Sequence, residues 1–153
     1  MHMIVLFLVC AENENDAVEK ILPIMEKRVE CGIYDYYTAP RNWVFAQGLP
    51  MRDNCLVLPL ASDDAKRILR EMWDGVVREF LNNLEKLKKM ISEKEPHELF
   101  DDFSFTSTCS HLARNKYHER VFDGEGYPLS IEQYERAFFS PHEYYIVVFD
   151  VHQ

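Results

Sequence analysis

Glycine is scarce in this chain, five in 153 residues, and no run of them forms a loop that could cradle a phosphate. The Gly-x-Ser-x-Gly elbow of a serine hydrolase and the His-Glu-x-x-His helix of a zinc protease are missing as well. Those absences remove the commonest enzyme classes and leave no cofactor to expect. The four cysteines, Cys10, Cys31, Cys55 and Cys109, include no Cys-x-x-Cys pair. Wide spacing beside apolar stretches predicts buried, reduced thiols in a cytosolic protein, not a disulfide framework. No apolar run approaches the roughly 20 residues that a membrane helix needs. Residues 3–9 are apolar, but no Lys or Arg precedes them and no small-residue cleavage site follows, so they do not read as a signal peptide. Together these features predict a cytoplasmic protein with no membrane contact.

Positive charge is also in short supply, with 17 Lys and Arg against 26 Asp and Glu, a formal net charge of −9. An acidic surface repels phosphate backbones, which disfavours direct nucleic-acid binding and favours a partner with a basic surface. Two acidic clusters would meet such a partner: Glu12, Glu14, Asp16 and Glu19, then Glu93, Glu95, Glu98, Asp101 and Asp102.

What is present is an ordinary globular composition, 47% hydrophobic and 28% charged, on a chain of one-domain length. Residues 3–10 form a continuous apolar run rich in β-branched and aromatic side chains, the pattern of a strand buried on both faces. Asp16 with Glu19 reads as a capping box opening a helix over 17–30, in which Pro23 predicts a kink or a break. Strands are expected at 33–38, 43–46 and 54–58. Ser62 caps the longest element, a helix over about 63–92 whose apolar residues Ile68, Leu69, Trp73, Val76, Phe80, Leu84, Leu87 and Ile91 hold one broad face. Its far half is long enough to meet a partner chain, or a second copy of this one. Residues 103–113 and 116–122 read as a hairpin turning at Arg114 and Asn115. Ser130 with Gln133 is a capping box for a short helix over 131–139, and 144–151 is a second buried-looking strand. The expectation is one α+β domain spanning 1–153. Its sheet is mostly antiparallel with the two terminal strands central, and the helices lie on one face.

Three constellations are candidates for chemistry. Cys109, His111 and His118 are the metal-type ligands that a hairpin would bring together, although their spacing matches no zinc finger or ribbon. Asp35, Tyr37, Arg41 and Trp43, with His118, combine a carboxylate, a guanidinium and aromatic rings that could hold a nucleotide-type ligand. Asp150 and His152 are spaced to share one face of the last strand, where a carboxylate can orient an imidazole base.

The aromatic segment over 34–43 resembles a motif of an uncharacterised family of small phage and prokaryotic proteins, Trp-Asp-Tyr-Tyr, two variable positions, then Gly-Gly-Arg-Trp. Tyr34 stands where that motif has its first Trp. Asp35, Tyr36 and Tyr37 match directly, and Trp43 matches at the same spacing. Pro40, Arg41 and Asn42 replace Gly-Gly-Arg. The run over 115–120 is similar to that family's Gly-Lys-Trp hairpin. Residues 148–152 are similar to its Asp-Cys-His ending, with Val151 in place of the cysteine. The resemblance implies an accessory gene of a phage or mobile element and no particular reaction. Composition and resemblance together lead to the expectation of a small acidic accessory protein that acts by binding another protein, such as an inhibitor of a host nucleic-acid-handling or defence complex. The alternative is a small-ligand protein or enzyme built on Asp35, Tyr37, Arg41 and His118.

Overall fold

The structure is a computed structural model describing residues 1–153. The chain runs β1 (His2–Cys10), α1 (Glu14–Glu30), β2 (Tyr36–Thr38), β3 (Leu56–Pro59), α2 (Asp63–Glu93), α3 (Pro96–Phe100), α4 (Phe103–Arg114), β4 (Val121–Asp123), α5 (Ile131–Phe139) and β5 (Tyr144–His152). It is an α+β protein, and no helix is long and apolar enough to cross a membrane. Its contacts divide it into two compact units, one of Met1–Met72 with Glu119–Gln153, the other of Trp73–His118.

The first unit holds the whole sheet. β1 and β5 pair antiparallel along their full nine residues, from His2 opposite His152 to Cys10 opposite Tyr144. β2 and β3 share the far edge of β5, both antiparallel, and β4 lies parallel to β1 on the other side. The terminal strands are therefore central, as their apolar runs require. On one face Val5, Phe7, Val9, Val147, Phe149 and Val151 pack with Ala17, Ile21 and Met25 of α1. On the opposite face Ile4, Leu6, Leu8, Leu56, Ile146 and Val148 are equally buried, as are Ala65, Ile68 and Leu69 of α2 and Ala137 of α5. With both faces buried, the expectation of helices on one face alone does not describe the sheet.

α1 begins one turn earlier than expected. Asn13 is the cap, its Oδ1 accepting from the Asp16 amide (2.9 Å), while Asp16 Oδ2 accepts from the Glu12 amide (2.9 Å). The helix continues through Pro23. Pro23 and Glu19 are both exposed, so the Glu19 carbonyl that loses its intrahelical donor faces water.

The second unit consists of α2 from Trp73 onward, α3, α4 and a turn of 3-10 helix at Asn115–Tyr117. The expected hairpin over 103–122 is thus a helix followed by a three-residue strand. Asp102 caps α4 by accepting from the Phe105 amide (2.9 Å), and the Thr106 and Thr108 hydroxyls donate back to the Asp102 and Ser104 carbonyls (3.2 and 2.8 Å). Those bonds absorb the polar groups that made the segment look unhelical. The expected strand at 43–46 is likewise a 3-10 turn, Val44–Ala46.

Candidate functional site

The strand pairing sets His2, His152 and Tyr36 side by side, because β1, β5 and β2 place these three residues in register. The imidazoles of His2 and His152 lie 5.2 Å apart edge to face, and the Tyr36 ring stacks on His152 at 5.0 Å. Each imidazole is backed by a carboxylate. His2 Nδ1 donates to Asp150 Oδ1 (3.0 Å), and His152 Nδ1 donates to Asp35 Oδ2 (2.9 Å). The Met1 amino group donates to His152 Nε2 (3.2 Å). His2 Nε2 accepts from nothing in the chain, and its side chain is half exposed, whereas the Asp150 side chain is only 9% exposed. A buried carboxylate behind an open imidazole fixes the tautomer and leaves Nε2 as a base or ligand-facing acceptor.

The residues read from the sequence separate. Asp35 joins this cluster. Tyr37 points to the other face, its ring edge to face with Phe149 at 5.4 Å, and burial raises its phenol above the ordinary value. Arg41 donates to the Arg52 carbonyl (2.8 Å), and Trp43 lies against Phe45 (6.3 Å). No hydrogen bond, ion pair or ring contact joins Asp35, Tyr37 and Arg41 to one another. His118 belongs to the helical unit, where its ring meets Trp73 at 5.8 Å. Cys109 and His111 sit two apart on α4, about 200° around a helix and not on one face. No group of three or more His, Cys, Asp or Glu is placed to hold a metal ion. Tyr34, at the head of the aromatic segment, is buried, and its hydroxyl accepts from Arg28 (3.1 Å). Burial raises its phenol, with Arg28 opposing. Arg28 also lies over the Phe122 ring (4.0 Å) and donates to the Gly126 carbonyl (2.8 Å). That half of the segment therefore serves the core.

Sequence reasoning missed His2 and Tyr36. The available signal was the match of the two terminal strands: equal, aligned central neighbours bring residue 2 opposite residue 152.

Large apolar side chains stand exposed in both units, Phe139 (87%) and Val44 (82%) in the sheet unit among them, but the helical unit also has little interior. Of its residues only Trp73, Val76 and Thr108 are buried. Phe100 and Phe103 are 85% and 86% exposed, and Phe80, Leu81 and Ile91 on α2 are exposed too. Charge is close to balanced there, eight acidic residues against seven basic, so the acidity of the chain resides in the sheet unit.

No curated protein and no solved structure matches the chain. A family model matches all of residues 1–153, and the chain belongs to that family, described as a domain of unknown function, DUF7995.

Proposed function

We propose that the protein acts by binding another protein, with the helical unit as its contact surface. The observation that carries this reading is that unit's thin interior beside two phenylalanines that are almost fully exposed. Two adjacent aromatics left in water cost solubility and serve no packing, which is the composition of an interface anchor. The acidic sheet unit supports a partner with a basic surface, which it would attract over distance. The resemblance of residues 34–43 supports a phage or mobile-element setting, in which such a protein would occlude a nucleic-acid-handling or defence complex. A photo-crosslinking residue placed at position 103 is expected to trap the partner, whereas the same residue at Glu19 is not. Crosslinks from position 19 alone would move the contact to the sheet unit and sink the proposal. Crosslinks to a second copy would identify the partner as the protein itself.

A second reading, a small-ligand site, is favoured by one observation, the open His2 imidazole held by Asp150. On this reading the ligand sits on His2, His152 and Tyr36, not on Arg41. A nucleotide that raises the melting temperature should lose its effect in His2→Ala and keep it in Arg41→Ala. The opposite pattern would contradict this placement.

A further inference from the structure

β1 and β4 are the only parallel pair in the sheet, and their carboxyl ends, Cys10 and Asp123, lie together at one rim. From Cys10 the chain passes to α1 on the face of Phe7 and Phe149. From Asp123 it turns through Gly124 to α5, which shares no part of that cluster and instead packs with α2, Arg70 lying over the Phe138 ring at 4.8 Å. Where connections leave neighbouring parallel strands in different directions, a crevice opens beyond the strand ends, and such crevices are the common ligand sites of α/β sheets. The structure has one there, about 450 Å³, within the range that small molecules occupy.

The walls are chemically matched in pairs. Lys20 from α1 and Arg136 from α5 supply two cations, Asp123 and Glu125 from the turn supply two carboxylates, and the Cys10 thiol and Tyr144 complete the rim. Lys20 Nζ is already oriented, donating to the Cys10 carbonyl (3.1 Å) and pairing with Asp16 (3.0 Å). Arg136 pairs with Glu132 one turn back on α5, so a ligand carboxylate would share both cations with Asp16 and Glu132. Asp123 is consumed by its own turn, accepting from the amides of Glu125 and Tyr127 (2.9 and 3.0 Å) and from Gln133 (3.1 Å). Glu125 forms no ion pair, so it is the carboxylate left to meet a ligand. Gly124 keeps the turn against β1, since a Cβ there would come within 3.2 Å of Val9 Cγ2.

We propose that this crevice binds a small zwitterion of free amino-acid type, its carboxylate between Lys20 and Arg136 and its ammonium at Glu125. The site is independent of the helical unit and of the histidine pair. Cys10 reports on it, and Cys31, also exposed but outside it, is an internal control. The test follows alkylation of both thiols in the full chain by mass spectrometry, with and without free L-amino acids, together with the melting temperature. At tenfold excess over the dissociation constant an amino acid should raise the melting temperature by about 3–5 °C. It should also slow Cys10 alkylation several-fold while leaving Cys31 unchanged. Arg136→Gln should abolish both effects, and Glu125→Gln should weaken amino-acid binding without affecting a simple carboxylate such as acetate. The proposal is overturned if no amino acid protects Cys10, if protection survives Arg136→Gln, or if acetate protects as well as any amino acid does.

Discussion

Single residues show best where chemistry and packing part company. Cys55, in the core, has its thiol pushed up to about 11 by burial, with Arg52 pulling the other way. Thiolate is the reactive form, so Cys55 should resist alkylation near neutral pH while Cys10 and Cys31 react. The ordinary thiol value is 9.0, so between about pH 9 and 11 the unfolded chain gives up this proton and the folded chain keeps it. The contribution of Cys55 to stability is therefore complete below pH 9 and declines as pH rises to 11. A melting temperature that does not fall between those limits more in the wild type than in Cys55→Ala would contradict it. The expectation of buried thiols holds for Cys55 alone: Cys10 lies at a strand end and Cys31 caps α1, positions that apolar neighbours in sequence do not reveal. The sequence groups Asp35 with Tyr37 and Arg41 as a ligand site, whereas its side-chain partner in the structure, His152, comes from the other end of the chain. Long-range pairing of that kind has no local sequence signal.

At the scale of elements, periodicity and capping were legible and substitutions can test them. α2 and α5 form where their apolar spacing and their caps at Ser62 and Ser130 place them. Ser130→Ala removes a cap that accepts from the Gln133 amide and should cost about 1 kcal/mol in denaturant unfolding. Pro23→Ala restores a helix donor on an exposed face of α1 and should stabilise the protein by about 1–3 kcal/mol. A neutral or destabilising result would mean that the proline is needed for more than its own geometry. α4 reads as a strand in sequence because Phe103 and Phe105 alternate with small polar residues, while the hydroxyl-to-carbonyl bonds that let Thr106 and Thr108 live in a helix are invisible there. Its cap also carries a pH dependence. The ammonium of Lys94, followed by the Phe105 amide, holds the Asp102 carboxyl below its ordinary 3.8. That pairing stabilises the helical unit above the ordinary value and is lost as pH falls through the lower, folded one. In a Trp43→Phe background, the fluorescence of Trp73 should report loosening of the unit as pH falls below 3.8, whereas Asp102→Asn should already be loosened at neutral pH and lack that acid-dependent step.

For the whole molecule, the composition identified an acidic α+β protein with its terminal strands at the centre, and the structure divides that protein into a well-buried sheet unit and a helical unit with almost no interior. The division follows from residue content. Residues 73–118 hold apolar side chains enough for helix faces, yet only three residues there are buried. The central claim is that the exposed aromatics of this unit anchor a partner and are not needed by the fold. The most direct measurement compares quantitative capture from a lysate of the source cells by wild type and by Phe100→Asp/Phe103→Asp, with the melting temperature of each recorded alongside. The account predicts equal melting temperatures and at least tenfold loss of the captured protein in the double variant, as expected for removal of anchor residues. Equal capture by both, or a clear drop in melting temperature of the variant, would contradict it.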